Sequence, residues 1–165
     1  MKHIHESIIG RKGSGYQKYE LTDEPVKIGG KILYHIKALK DIPSKGVKKG
    51  DLGGWVESYD NLDQTGNCWV GGAAIVFGNA KVCGDAEVYD EAWIFGSAKV
   101  YGNAIVHDSA RIYGDAQIYD DAEVYGSALV YDNAHVHGKS KVCGYAEVYG
   151  TAKVDYNMNR GSVKK

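Results

Sequence analysis

From Gly72 to Asp155 the chain repeats one six-residue phrase without a break; from Gly78 it reads GNAKVC, GDAEVY, DEAWIF, GSAKVY, GNAIVH, DSARIY, GDAQIY, DDAEVY, GSALVY, DNAHVH, GKSKVC, GYAEVY, GTAKVD. No helix tolerates that period, because its faces return about every 3.6 residues. One column is aliphatic throughout, from Val76, Val82, Val88 and Ile94 down to Val148 and Val154. Two residues before each stands a small side chain, from Ala74 to Ala152, with Ser140 in the same column. Positions two apart share one face of a strand, so both columns point inward. Between them fall Gly-Asn, Gly-Asp, Asp-Ser and Asp-Asp pairs, residues that accept a positive φ or fold their side chains onto the local backbone. Each hexad is one short strand and one corner.

Strands this short leave their N–H and C=O groups unmet unless each pairs with the equivalent strand one lap later. The result is a parallel β-solenoid. The V-x-G-[ND]-A-x phrase closely resembles the hexapeptide repeat of left-handed β-helix proteins, and that resemblance implies three hexads per triangular coil and the left hand. The expected fold is an all-β, single-stranded left-handed parallel β-helix of about five coils, roughly 25 Å long at about 4.8 Å per coil. A small N-terminal β cap precedes it.

The cap is read from the period-two run Lys31–Leu39, in which Ile32, Tyr34, Ile36 and Ala38 alternate with Leu33, His35, Lys37 and Leu39. With the strand-like Tyr16–Leu21 it makes a hairpin covering the first coil, whose open edge would otherwise invite another chain. Met1 to about Gly15 reads as a polar arm, and its His3 and His5 as solvated side chains. The Lys-rich loop Asp41–Asp51 reads as a charged, solvated face. Leu52-Gly53-Gly54-Trp55-Val56 begins the winding, and after Val154 the pattern stops. The divisions are 1–51 for arm and cap, 52–156 for the solenoid and 157–165 for a flexible tail. The last coil is then covered by that tail or by a partner, or left open as a stacking surface.

Residues 16–155, through the string KALKDIPSKGVKKGDLGGWVESYDNLDQTGNCWV and the hexads after it, are similar to uncharacterised hexapeptide-repeat proteins of bacteria, phages and prophages. That likeness implies a fold and a phage or prophage setting, and no agreed activity.

Charge is divided along the chain. Residues 1–60 carry 11 Lys/Arg and 8 Asp/Glu, residues 61–155 carry 6 and 13, and residues 156–165 carry 3 and 0, so the parts are +3, −7 and +3. An acidic body repels nucleic acid, which argues against direct nucleic-acid binding. Cys68, Cys83 and Cys143 lack CxxC spacing and read as reduced thiols of a cytoplasmic protein, the bacterial host cytoplasm if phage-encoded. No apolar run or signal-peptide core suggests a membrane or export.

At three hexads per coil the outward positions sort onto three sides. Side one carries Ile75 and Phe77, Trp93 and Phe95, Arg111 and Tyr113, Leu129 and Tyr131, then Glu147 and Tyr149. Side two is polar and includes His135 and His137; side three is more acidic and includes His107. Aromatic columns also arise as ordinary cross-strand ladders, but the apolar set on side one is expected to be an association surface, Ile75, Phe77, Trp93, Phe95, Arg111, Tyr113, Leu129 and Tyr131 forming it. The partner is a second copy, as a dimer or trimer, or a host protein.

Hexapeptide-repeat acyltransferases use a histidine base between subunits, and His107, His135 and His137 are the weak candidates for that role. A zinc site of the carbonic anhydrase type would draw on His135 and His137, with a third ligand from another subunit. Neither is supported by an insertion shaping a pocket, and no metal or cofactor is expected. The expectation is a non-enzymatic interaction scaffold, possible roles being an inhibitor that occupies a host defence complex or a protein that sequesters a ligand. The alternatives are an acyl-CoA-dependent acyltransferase and a self-stacking structural protein.

Overall fold

The computed structural model describes residues 17–165; the N-terminal arm, His3, His5 and the start of the Tyr16 strand lie outside the described residues. Among the described residues nearly all regular structure is β, with two single-turn 3₁₀ segments at Pro43–Lys45 and Tyr59–Asn61. The solenoid is the parallel one expected. The aliphatic column from Val76 to Val154 and the alanine column from Ala74 to Ala152 are completely buried, and Ser140 is 1% exposed. Each hexad contributes a short strand, two residues long in all but one, such as Trp93–Ile94 or Lys99–Val100; Glu147–Tyr149 has three. Its amides donate to the next lap, as in Ile75 N–H to the Ala92 carbonyl at 2.9 Å and Phe77 N–H to Ile94 at 3.1 Å.

The three sides emerge as three sheets. On side one Ile75, Trp93, Arg111, Leu129 and Glu147 stand in register, each 18 residues after the last. Side two aligns Lys81, Lys99, Gln117, His135 and Lys153, and side three aligns Trp69, Glu87, Ile105, Glu123 and Lys141. Corners fall where φ is positive, at glycines and at Asp90, Asp108, Asp120 and Asp132. The aspartates add a bond that glycine lacks. Oδ2 of Asp108, Asp120 and Asp132 accepts the amide of Gly126, Gly138 and Gly150, one lap on, at 3.0 to 3.1 Å.

The cap is larger than a hairpin. Strands β1 (Tyr19–Leu21) and β2 (Val26–Ile28) both pair antiparallel with β3 (Lys31–Ala38). On its other edge β3 pairs antiparallel with β4 (Leu52–Val56), which in turn runs parallel to Ile75–Val76. Strand β4 is therefore the joint between cap and solenoid. Its two glycines are fully enclosed: a Cβ on Gly54 would stand 2.6 Å from the Ala74 carbonyl, and one on Gly53 would strike Ile36 Cγ1 at 2.5 Å. Side chains there would push the joint apart.

The mouth of the first coil is sealed by polar groups. Lys18, fully buried, donates from Nζ to the Cys68 carbonyl at 2.7 Å and lies 3.1 Å from Cys68 Sγ. Buried Asn61 accepts from the Glu57 and Ser58 amides and donates to the Gly78 and Ala80 carbonyls. It stands in for a missing strand. Tyr19 closes the same end, its hydroxyl donating to the Leu62 carbonyl at 2.6 Å.

Three expectations change. The winding makes about six turns rather than five, because β4 and the chain end both add to it. Residues 157–165 are paired, not loose: Val142 bridges Met158, and Ser162–Lys164 forms a strand parallel to Glu147–Tyr149. Of the covers considered for the last coil, the tail is the one present. The Asp41–Asp51 loop is only partly solvated, since Ile42 and Val47 are buried and Lys45 reaches Glu87 on side three at 3.4 Å.

Candidate functional site: one apolar side and three histidines

Side one is the face of the ten-stranded sheet, which runs unbroken from the cap through β4 and five laps to the tail. Its i+1 positions form a ring ladder. Phe77, Phe95, Tyr113, Tyr131 and Tyr149 stack in sequence with centroids 5.2, 4.9, 5.0 and 5.1 Å apart and planes within 7° of parallel. Lys164 of the tail lies over the last ring. The i−1 positions run Trp55, Ile75, Trp93, Arg111, Leu129, Glu147. Ile75, between two indoles, is 5% exposed, and the Arg111 guanidinium sits 5.2 Å above the Trp93 ring. The named interface residues thus do share one surface. Stacking hides most of the ring faces, so Phe77, Trp93, Phe95, Tyr113, Leu129 and Tyr131 are half-buried and only Arg111 of the set is exposed.

The histidines divide between two sides. His135 and His137 lie on side two: His137 stacks on Tyr119 at 5.2 Å, and His135 meets the same ring edge-on at 5.9 Å. Burial holds the His135 imidazole below its ordinary value, with Lys153 and His137 adding to the effect. His107 is on side three, sandwiched between Tyr89 and Tyr125 at 4.9 Å on each face. Its Nε2 lies 3.1 Å from Glu123 Oε1, and its Nδ1 lies 3.3 Å from Asp108 Oδ1. Glu123 also takes Lys141 Nζ at 2.6 Å, and this hydrogen bond, with a smaller one from His107, keeps its carboxyl below the ordinary glutamate range despite partial burial.

Shallow clefts occur at the two ends of the solenoid. One, of about 620 Å³, lies where the tail crosses side three, between Tyr125, Lys141, Cys143, Tyr156 and Arg160. The other, of about 700 Å³, lies where the cap meets the first coil, around Lys31, Ile32, Tyr34 and Glu57. His107, His135 and His137 line neither. The three cysteines are unpaired, Cys68 inside the coil and Cys83 and Cys143 at half-buried outer positions. Among the described residues no helix is long and apolar enough to cross a membrane.

Sequence reasoning missed Lys18 and Asn61, neither of which belongs to a repeat column. It also missed the meeting of His107 with Asp90: these two come together only because Asp90 and Asp108 occupy the same corner one lap apart.

A family model of the YdcK beta solenoid repeat matches residues 116–132, the stretch from the strand at Gln117 to that at Leu129. No curated protein matches the chain. Local similarity and architecture agree on one level of description, and the chain is a β-solenoid repeat protein.

Proposed function

We propose that this protein is a non-enzymatic interaction scaffold that associates through side one. The observation that carries the reading is the unbroken ten-stranded face, with Trp93 and Leu129 beside the Phe77–Phe95 stack and Arg111 between them. A wide, flat, rigid surface loses little conformational entropy when it docks. Its mixture of indole, phenyl, phenol and guanidinium groups is the composition enriched at association surfaces. The ring edges left by stacking, rather than the ring faces, make the contact.

A second copy is the first occupant to test, as dimer or trimer. A host protein, for instance a component of a defence complex, is the foreign alternative that the phage-type resemblance favours. Light scattering coupled to size exclusion decides between them for wild type and Trp93→Glu. A defined oligomer that falls to monomer in the variant assigns side one to self-association. A wild-type monomer moves the test to capture of a foreign partner, lost in Trp93→Glu. An oligomer untouched by both Trp93→Glu and Phe95→Glu, in variants with unchanged circular dichroism, rejects the reading.

A further inference from the structure

The surroundings of His107 are unlike those of the other two histidines. Its ring cannot swing, being held face to face by Tyr89 and Tyr125. With Nε2–H donated to Glu123 Oε1 at 3.1 Å, the Nδ1 lone pair is turned toward the corner. There it meets Asp108 Oδ1 at 3.3 Å, while Asp90 stands at the same corner one lap earlier. One ligand atom from each of Asp90, His107 and Asp108 lies within 4.8 Å of the others.

Two further features set this corner apart. Asp108 gives its second oxygen to the Gly126 amide, which fixes the carboxylate with Oδ1 facing His107. Asp120 and Asp132 spend a carboxylate oxygen in the same way on Gly138 and Gly150, but no described residue donates to the carboxylate of Asp90. Lys141 compensates Glu123, yet no lysine or arginine pairs with Asp90 or Asp108 among the described residues. A lone pair facing a carboxylate oxygen, with a second carboxylate alongside, is satisfied by a proton on Nδ1 or by a cation held between them. A proton on Nδ1 would offset one of the two negative charges; a divalent ion offsets both.

We propose that Asp90, His107 and Asp108 form a binding site for one divalent transition-metal ion. One imidazole nitrogen and two carboxylates suit zinc and its first-row neighbours, and water fills the remaining positions. Glu123 is the outer carboxylate that fixes the tautomer and orientation of a ligating histidine. The site is made within one chain, at the corner between sides three and one, and it uses neither His135 nor His137.

The test is calorimetric titration of the full chain with Zn²⁺ at neutral pH, in a His3→Gln/His5→Gln background so that the N-terminal pair does not compete. Saturable binding of one equivalent is expected. It should weaken by about tenfold or more in both His107→Gln and Asp90→Asn, and stay unchanged in His135→Gln/His137→Gln. Asp90→Asn keeps a residue that tolerates the left-handed corner, so it decides the matter if His107→Gln disturbs the stack, with circular dichroism as the check on folding. Absence of saturable binding, equal affinity in Asp90→Asn, or loss only in the His135/His137 variant would each overturn the site.

Discussion

Asp132 shows how much one corner residue settles. It holds a φ of 57°, a conformation costing a residue with a Cβ about 1–2 kcal/mol, and its carboxylate returns part of that through the Gly150 amide. Asp132→Ala keeps the strain and loses the bond, so it should destabilise by about 1–2 kcal/mol. Asp132→Gly loses the bond and the strain together and should lie near wild type. Chemical denaturation of the pair separates the two contributions; equal losses would contradict the account. Glu123 gives a pH signature. Its folded-state carboxyl titrates below the ordinary value of 4.5, so its contribution is present above that pH and is lost as pH falls through the lowered folded value. Thermal melts should show Glu123→Gln less stable than wild type at pH 7, the gap closing in acid. A gap that widened on acidification would mean that the Lys141 contact does not hold the charge.

At the scale of elements, the joint at β4 is the most tightly specified. Gly53 and Gly54 are needed for close approach rather than for unusual dihedrals: at Gly54 the Ala74 carbonyl and Val70 Cγ1, 2.6 and 2.8 Å from a built Cβ, leave no room. Gly54→Ala should cost about 1–3 kcal/mol, the range of an overpacked core, and loosen the cap before the coils, which amide exchange at β3 and at Val130 would resolve. Repetition is what made the elements readable. Fourteen aliphatic positions at one spacing leave a single solution for the inward face, and the 18-residue register then places every outward residue. Where spacing breaks, legibility ends. The tail pairs Glu147 with Ser162, fifteen residues on, and Val142 with Met158, sixteen on, so no hexad pattern reaches it. Ile42 and Val47 are buried through a loop that looks polar because its lysines outnumber them. The histidine at 107 was visible as a candidate, but its carboxylate neighbours became meaningful only once the lap length was fixed.

For the whole molecule, the two ends carry the burden that the middle does not. Every middle lap has a neighbour on both sides, whereas the end laps must be covered. The cap does this with three strands and with Lys18, Asn61 and Tyr19; the other end relies on the strand Ser162–Lys164 and the Met158 bridge. Removing residues 157–165 should cost about 1–2 kcal/mol through lost cover of Val142 and Val148. It should also turn the freed edge into a concentration-dependent contact, seen as growing mass in sedimentation; a truncated chain as stable and as monodisperse as the full one would show the tail to be dispensable. The constant 18-residue lap has another consequence, for how such a chain can change its length. Duplicating one whole lap would lengthen the prism by about 4.8 Å and return every later residue to its own side, with both ends intact. Duplicating the single hexad 120–125 would turn everything after it by one side, carrying His135 and His137 off Tyr119 and breaking the ring ladder between Tyr113 and Tyr131. Insertions in this molecule are thus tolerated by arithmetic rather than by size, and eighteen residues disturb it less than six.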